Sequence, residues 1–480
     1  MSEELPKGWV SLQIEDLTEN PRQDIVDGPF GSNLKASEYV DKGVPVVRLQ
    51  NIDRNRFLEK NIRFISSLKA RELSRHSFWA GDIIITKLGN PVGKACIVPD
   101  SIRQGIIVAD VVRARIDRRR AYKEFVAFAI NSPRVSSHLN FEVKGSTRPR
   151  VNLGHIRKLE IQVPPINEQL RIVVKLEKLL GRVDTCQQRL TKIPVILKRF
   201  RQSVLAAACS GRLTADWRDA NPSPTNHVEE ELPPGWRTAL VGQVIENLKY
   251  GTAQKCSYER RGVPVLRIPN IEQDGISHSD LKYAELPEKE FQHLRLQPGD
   301  VLLIRSNGSV SLVGKSALVR EAERDFAYAG YLIRLRPDVA QVLPEFLNLV
   351  LGNYEIRIQI EVPARSTSGV NNINSEEVRA LRFFLPPLPE QREIVRRAEA
   401  FFALADQIEA RFAKAKTRVD QLIQSILAKA FRGELVPQNP NDESASVLLA
   451  RIKAERANGE TVAKGGGKKR LNLNRKGKGR

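Results

Sequence analysis

The chain has 480 residues, enough for about three domains at roughly 150 residues each, and its hydrophobic (41%) and charged (28%) fractions are those of an ordinary globular protein. Lys and Arg exceed Asp and Glu by 77 to 56, a net charge of +21 that points first to nucleic acid as a partner. We expect no membrane span, no signal peptide and a cytoplasmic, reducing location, because no long apolar run is present and the four cysteines form no C-x-x-C pair.

The first part of the chain predicts a mixed α and β domain over residues 1–160. Runs rich in β-formers at 44–49, 82–87 and 106–116 are separated by Gly, Pro and Asn, which predicts short strands. Residues 122–131 favour a short helix.

A long helix is predicted next, in a central region over residues 161–222. Apolar residues recur every three or four positions from Leu170 to Val204, which predicts the seam of a coiled coil. Pro164-Pro165 blocks helical continuation upstream, and Gly211 stands where a helix stop belongs. Pro194 should kink or split this helix.

The second half of the chain repeats the first. Residues 43–52 return at 262–271, 81–85 at 299–303, and Pro164-Pro165 with Glu168-Gln169 at 386–391, always in the same order. The offsets lie near half the chain, so the pattern indicates a duplicated unit of about 220 residues rather than a solenoid repeat. The repeat predicts a second mixed domain over 223–383 and a second seam helix over 384–440, which includes Ile408 and Leu422.

The last segment, residues 441–480, is predicted to be a basic, disordered tail. After Glu460 it carries eight cations and no acid among Gly and Asn residues. Such a tail is either a solubilising end or a non-specific tether to nucleic acid.

Catalytic motifs are not found in the sequence. Val92-Gly93-Lys94 and Val313-Gly314-Lys315 suggest a phosphate-binding loop, but the glycine spacing differs from that motif, so a turn between strands is the better interpretation. No metalloprotease, nucleophile-elbow or dinucleotide-binding motif is present, and the six histidines lie far from ligand partners. The pattern therefore favours a non-catalytic binding protein.

Cations in polar, Gly-rich or repeated segments are the expected nucleic-acid contacts. Lys35 follows the Gly-rich segment 28–33, Arg148 and Arg150 lie in a Pro-broken polar loop, and Arg365 occupies the matching loop of the second repeat. Arginine can contact a phosphate or a guanine edge through two nitrogens, although an ordinary solvated arginine is the alternative at each position. The full set of expected contacts is Lys35, Lys87, Lys94, Arg148, Arg150, Arg305, Lys315 and Arg365. Arg48 and Arg267, which recur in matching strands, are expected to form structural ion pairs.

Several of these blocks together resemble the specificity subunit of type I restriction–modification systems. The resemblance covers about residues 5–440 and depends on both copies appearing in order. The blocks are Leu5-Pro-Lys-Gly-Trp9, Gly28-Pro-Phe-Gly-Ser-Asn-Leu-Lys35, Gly81-Asp-Ile-Ile-Ile-Thr86, Pro164-Pro-Ile-Asn-Glu-Gln169, Lys198 to Leu213, Leu385-Pro-Pro-Leu-Pro-Glu-Gln-Arg392 and Ile426 to Leu435.

This resemblance implies two target-recognition domains joined by two long helices that pair as an antiparallel coiled coil, in the α+β class. It implies a bipartite, asymmetric DNA site and no catalysis by this chain. It also implies partners: modification subunits, expected as two copies, which methylate adenine with S-adenosylmethionine, and restriction subunits that use ATP and Mg. No cofactor is expected on this chain.

Two other functions compete with DNA sequence recognition. One is a coiled-coil adaptor whose basic charge binds nucleic acid without reading it. The other is RNA binding, which the lack of an aromatic RNA-recognition motif disfavours.

Overall fold

The computed structural model of the protein describes residues 5–29, 33–141, 149–222, 232–272, 275–362 and 371–470. By internal contacts the chain divides into two compact units. The first unit combines residues 1–189 with 415–480, and the second is the continuous stretch 190–414. The sequence predicted five consecutive segments, whereas each structural unit combines one globular domain with parts of both long helices.

The first globular domain is built from short strands and short helices. Its strands are β1 (Val10–Gln13), β2 (Ile25–Asp27), β3 (Tyr39–Val40), β4 (Val44–Val47), β5 (Ile52–Asp53), β6 (Arg56–Phe57), β7 (Arg63–Ile65), β8 (Ser77–Trp79), β9 (Ile83–Thr86), β10 (Ala95–Ile97), β11 (Gln104–Ile107), β12 (Val111–Ala114) and β13 (Glu160–Val163). Its helices are α1 (Pro21–Asp24), α2 (Ser67–Glu72), α3 (Lys123–Ile130), α4 (Pro133–Phe141) and α5 (Leu153–Arg157). The helix predicted at 122–131 is confirmed as α3, and the run at 106–116 forms two strands.

The elements that follow are the helices after the first domain and then the second domain. The helices are α6 (Ile166–Leu190), α7 (Ile193–Cys209) and α8 (Ala215–Ala220). The strands of the second domain are β14 (Arg237–Leu240), β15 (Ile245–Tyr250), β16 (Val263–Leu266), β17 (Ile271–Glu272), β18 (Gly275–Ile276), β19 (Lys282–Ala284), β20 (Val301–Ile304), β21 (Ser306–Asn307), β22 (Ser316–Leu318), β23 (Ala327–Tyr328), β24 (Leu332–Pro337), β25 (Asn371–Asn372) and β26 (Arg382–Leu385). The remaining helices are α9 (Glu288–Leu294), α10 (Pro344–Gly352), α11 (Tyr354–Glu361), α12 (Ser375–Arg379), α13 (Leu388–Phe431) and α14 (Ala445–Arg470).

The strand order confirms the internal repeat. In the first domain a four-stranded sheet runs β10-β9-β12-β2, and its counterpart in the second runs β22-β20-β24-β15. The pairings β4 with β11 and β16 with β23 are both parallel, and the pairs β1–β13 and β14–β26 are both antiparallel. The two domains therefore share the topology of the four-stranded sheet, whereas the sheet that contains the parallel pair has five strands in the first domain and three in the second.

The repeated Gly-Asp pair has a structural role in each domain. The carboxylate of Asp82 accepts hydrogen bonds from the Trp79 backbone N–H and from Arg115, at 2.9 Å each. Asp300 is bonded in the same way to Arg336, at 2.7 and 2.8 Å. Both aspartates are almost fully buried, so each needs its arginine partner.

The Pro-Pro and Glu-Gln blocks join each long helix to its domain. Gln169 donates to the Pro164 carbonyl and accepts from the Tyr122 N–H, and Gln391 makes the equivalent bonds in the second unit. The glutamate before each glutamine accepts a hydrogen bond from a buried tryptophan. These bonds join Trp9 to Glu168 at 3.2 Å and Trp236 to Glu390 at 2.9 Å.

The helix breaks fall where the sequence predicted them. The first long helix is split between α6 and α7, and Pro194 lies in the first turn of α7, where its missing N–H costs no hydrogen bond. Gly211 and Gly433 both follow the helices with a φ of 74°, a left-handed conformation that favours glycine.

The helices pair in an antiparallel sense within each unit, as predicted. In the second unit, Arg201 of α7 contacts Asp406 of α13 at 2.7 Å, whereas Thr214, further along the chain, contacts Glu390, nearer the start of α13, at 2.7 Å. In the first unit, α6 pairs with the end of α13. There Gln187 donates to Asp420 at 3.1 Å.

The predicted seam is correct in part. Leu176, Val183 and Leu197 are buried, but Leu170, Ile408 and Leu422, which were also placed on the seam, are more than a third exposed. A straight helix drifts away from a 3.5-residue repeat, so a long run of apolar positions does not stay on one face.

The prediction of a disordered tail over 441–480 is wrong for its first part. Helix α14 covers Ala445–Arg470. Ile452 is buried in the core of the first unit, and Arg120 forms an ion pair with Glu455. The sequence-based prediction followed the charge of the final residues and overlooked these positions, which pack the helix against the first domain. Among the described residues, no helix is long and apolar enough to cross a membrane.

Candidate nucleic-acid interface

Backbone hydrogen bonds define the same set of positions at the end of each four-stranded sheet. In the first domain, the Lys87 N–H donates to the Asp110 carbonyl at 2.7 Å and Val151 N–H donates to the Lys87 carbonyl at 2.9 Å. Arg150 forms a β-bridge with the neighbour of Lys87. Asp27 completes the group, because it lies opposite Val112 on the adjacent strand. We call residues 27, 87, 110 and 150 the first quartet.

The second domain has the equivalent set. The Arg305 N–H donates to the Tyr331 carbonyl at 2.8 Å, and the Ile373 N–H donates to the Arg305 carbonyl at 3.0 Å. Strand register places Asn372 at the position of Arg150, and Tyr250 at that of Asp27. We call residues 250, 305, 331 and 372 the second quartet.

The cations of the first quartet are paired with carboxylates. Lys87 Nζ lies 2.8 Å from Asp27 Oδ2, and Lys87 is only 5% exposed. Arg150 lies 2.8 Å from Asp110 Oδ1, with its side chain more than half exposed. Both residues were predicted to contact DNA, and the structure brings them together at one edge of the sheet in neutral pairs.

The second quartet replaces these ion pairs with aromatic contacts. The Arg305 guanidinium lies 4.5 Å from the centre of the Tyr250 ring, and its Nε donates to Asn372 Oδ1 at 3.2 Å. Tyr331 is 63% exposed beside it. A cation–π contact and one hydrogen bond together hold the guanidinium beside the Tyr250 ring.

Arg305 lines a cavity of about 660 Å³ in the second domain. The lining also includes Tyr250, Tyr331, Arg267 and Lys282, and none of the described residues that line it is acidic. Lys282 lies over the ring of Tyr258, with its Nζ 4.5 Å from the ring centre. The cavity therefore combines positive charge with aromatic rings, the combination that suits a nucleic-acid ligand.

The ammonium groups of the other predicted lysines, Lys94 and Lys315, already have protein partners. Lys94 and Lys315 end the Gly-containing turns, which lie between strands as expected. Lys94 lies 3.0 Å from Asp53, and Lys315 donates to the Ile271 carbonyl at 2.9 Å. Burial alone would raise the pKa of Asp53, but the hydrogen bond from Lys94 lowers it below its ordinary value.

Three predicted contacts concern loops. Lys35 is exposed, and its backbone N–H donates to Glu38 at 2.6 Å, so its ammonium extends from a fixed backbone. Arg148 and Arg365 lie outside the described residues, and their DNA contacts stay predictions.

The ion-pair prediction holds for one of the two repeated strand arginines. Arg267 lies 2.7 Å from the Asp280 carboxylate. Arg48 pairs with no carboxylate in the described part of the chain: it donates to the Asn61 carbonyl at 2.7 Å, because the position equivalent to Asp280 is an asparagine. For Arg48 the prediction was wrong.

Sequence reasoning missed the tyrosines of the second quartet. The available signal was that Tyr250 precedes Gly251 and Tyr331 follows Gly330, so both rings flank turn glycines beside strands. Gly251 packs so closely on the Tyr328 and Ala329 carbonyls that a side chain there would collide with backbone.

Comparison with known proteins identifies the family that the chain resembles. A family described as "Type I restriction modification DNA specificity domain" matches residues 6–195 and 233–415, one match for each repeat. The specificity subunit of the type I restriction enzyme EcoKI from Escherichia coli is 32% identical over 470 residues, which cover 94% of this chain and 96% of the relative. The StySPI specificity subunit from Salmonella potsdam is 31% identical, with coverages of 94% and 96%.

Solved structures share the fold. The HsdS subunit from Thermoanaerobacter tengcongensis matches with a TM-score of 0.54 and 20% identity, over 90% of this chain and 99% of that one. A chain from a study of complex assembly and conformational transition in a type I R-M system matches with a TM-score of 0.66, at the same identity and coverages. With both repeats matched and relatives above 30% identity along nearly the whole chain, this protein belongs to the family of type I restriction–modification DNA specificity proteins.

Proposed function

We propose that this chain is the DNA sequence-specificity subunit of a type I restriction–modification complex. Each globular domain reads one half of a bipartite, asymmetric site, and the paired helices act as the spacer between the two readers. The observation that carries the proposal is the pair of quartets: one backbone framework presents Asp, Lys, Asp and Arg in one domain and Tyr, Arg, Tyr and Asn in the other. Two readers built in this way recognise two different sequences.

The helices offer a surface for partner proteins. Val174 of α6, Ile196 of α7 and Leu404 of α13 are each about half exposed or more. These apolar side chains are available for contact with another protein. We propose that these surfaces bind two modification subunits, which supply S-adenosylmethionine and methylate adenine, and that restriction subunits supply the ATP- and Mg-dependent activity in the cytoplasm.

We further propose that the chain directs these reactions without catalysing them. Among the described residues, no group of three or more His, Cys, Asp or Glu side chains is arranged to hold a metal ion. Burial raises the pKa of the Cys96 and Cys209 thiols to about 12, so neither is an activated nucleophile. The purified chain with S-adenosylmethionine should not methylate DNA; methyl transfer by this chain alone would contradict this part of the proposal.

A sequencing and binding experiment tests the main proposal. Methylated adenines in the host genome would give the recognised sequence, and competition gel shifts would compare that duplex with a random duplex and with RNA. We expect preference for one bipartite duplex over both competitors. Equal binding to all three would instead indicate an adaptor with non-specific affinity, and preference for RNA would indicate an RNA-binding protein.

A further inference from the structure

The two domains share several side chains on which the fold depends. Asp82 and Asp300 hold equivalent arginines, and Arg113 and Arg334 are both buried at equivalent strand positions. All four quartet positions differ, although the two backbone hydrogen bonds at Lys87 and the two at Arg305 agree to within about 0.1 Å. A position with a fixed backbone and a free choice of side chain suits recognition rather than folding.

From this contrast we infer that each quartet contains the base-reading side chains of its domain: Arg305 in the second, and the carboxylates of Asp27 and Asp110 in the first, which Lys87 and Arg150 hold in place. The second quartet takes a guanine through Arg305, and the first takes an exocyclic amino group, as on cytosine, through its carboxylates. This inference rests on the proposed function and deepens it by assigning the residues that determine specificity.

Arg305 has the geometry that a guanine contact requires. Its Nε is bonded to Asn372, and its Cζ lies over the Tyr250 ring, 4.5 Å from the ring centre. Within the described part of the chain, the terminal nitrogens Nη1 and Nη2 donate to no protein acceptor. A guanidinium that is held by one hydrogen bond and one aromatic ring, and that keeps two terminal nitrogens available as donors, matches the O6 and N7 acceptors of guanine in the major groove.

The first quartet offers acceptors instead of donors. Lys87 bonds to Oδ2 of Asp27 and Arg150 bonds to Oδ1 of Asp110, so one oxygen of each carboxylate is used. The other oxygen accepts no hydrogen bond from a described residue, and each aspartate side chain is about a third exposed. Carboxylate oxygens accept from the N4 amino group of cytosine, whereas they repel phosphate.

The test uses the full-length chain, its recognised duplex and single-base-pair variants of that duplex. Arg305→Lys keeps the positive charge but loses the two-pronged donor. We expect discrimination at one position of one half-site to fall by about 10- to 100-fold, with binding to random duplex unchanged. Arg261→Lys is the matched control: this arginine lies in the same domain, is well exposed and does not line the cavity, so its discrimination should match that of the wild type.

Asp110→Asn tests the first quartet independently. The amide adds a donor beside its acceptor. The variant should therefore discriminate less between bases at one position of the other half-site, and its preference there should shift toward adenine. Its partner Arg150 is exposed, so the variant should fold, and an unchanged thermal midpoint would confirm this. Two relaxed positions in different half-sites would support the inference.

Three results would overturn it. In the first, Arg305→Lys leaves every position as selective as before. In the second, it weakens cognate and random duplex by the same factor, which would make Arg305 a phosphate contact. In the third, only one of the two variants relaxes a position. Failure of the proposed function would look different, because the wild-type chain itself would then show no preferred duplex.

Discussion

The two quartets show how one backbone can present opposite chemistry. In the first domain, Lys87 and Arg150 are each held by an aspartate, so two cations add no net charge to that edge of the sheet. In the second, Arg305 stacks on Tyr250 in a cavity without acidic lining residues among those described. The comparison teaches that positive charge counted along a sequence differs from charge available to a ligand. The net charge of +21 identifies the class of partner and leaves the contact residues open.

The largest expected effects test whether each unit depends on its own pair of helices. Leu176 is buried in the first unit and Leu197 in the second, so Leu176→Asp and Leu197→Asp each bury an unpaired charge. We expect a loss of several kcal/mol in each case. Hydrogen exchange read by segment should show loss of protection in the altered unit first. Leu404→Asp, at an exposed position of α13, is the control and should leave stability unchanged.

Helix α14 contacts the first domain and should stabilise the first unit. Ile452→Ala removes a buried side chain and should lower the free energy of unfolding by about 2–5 kcal/mol. Val447→Ala, at an exposed position of the same helix, should change it little. Thermal unfolding of both variants measures the difference, and equal midpoints would mean that α14 does not contribute to the core.

The two buried glutamates should respond oppositely to the same substitution. Glu390 accepts hydrogen bonds from Trp236, Thr214 and Arg218, so Glu390→Gln weakens a charged network and should destabilise by about 1–3 kcal/mol. Glu168 bonds to Trp9, and burial raises its pKa above the ordinary 4.5, even though that bond lowers it.

The direction of the stability change at Glu168 follows from the linkage between proton binding and folding. A raised pKa means that the folded state disfavours the ionised form, so ionised Glu168 costs stability above its folded pKa, and this cost disappears as the pH falls below 4.5. Glu168→Gln should therefore match or exceed the wild-type stability at pH 7, with the difference shrinking as the pH approaches 4. Urea titrations at several pH values measure this, and destabilisation of both variants at pH 7 would contradict it.

The smallest effect is expected at Arg150. Because Asp110 already neutralises this arginine, Arg150→Ala should reduce DNA affinity by at most about threefold and leave the salt dependence of binding unchanged. A direct phosphate contact would instead lower the salt slope by about one. Gel shifts at several salt concentrations distinguish the two cases.

Sequence reasoning predicted the features that local chemistry determines. The repeat, the antiparallel helices, the break at Pro194 and the stops at Gly211 and Gly433 follow from spacing, proline geometry and glycine conformation. Side-chain pairings that depend on strand register could not be predicted from the sequence. Asp110 and Arg150 are forty positions apart, and they meet because Arg150 forms a β-bridge with Leu88. The equivalence of Tyr250 with Asp27 follows from strand register and not from similar residues in the two repeats.

The division of the chain into one continuous and one discontinuous unit has a consequence for synthesis. The second unit, residues 190–414, is complete as soon as its last residue leaves the ribosome, whereas the first unit still lacks the end of α13 and all of α14. Leu427 and Ile452 belong to the core of the first unit, so the surface they cover stays open to water until translation is nearly finished. The part of the protein made first is thus the last to become compact, and during that interval its uncovered apolar surface is a natural substrate for chaperones.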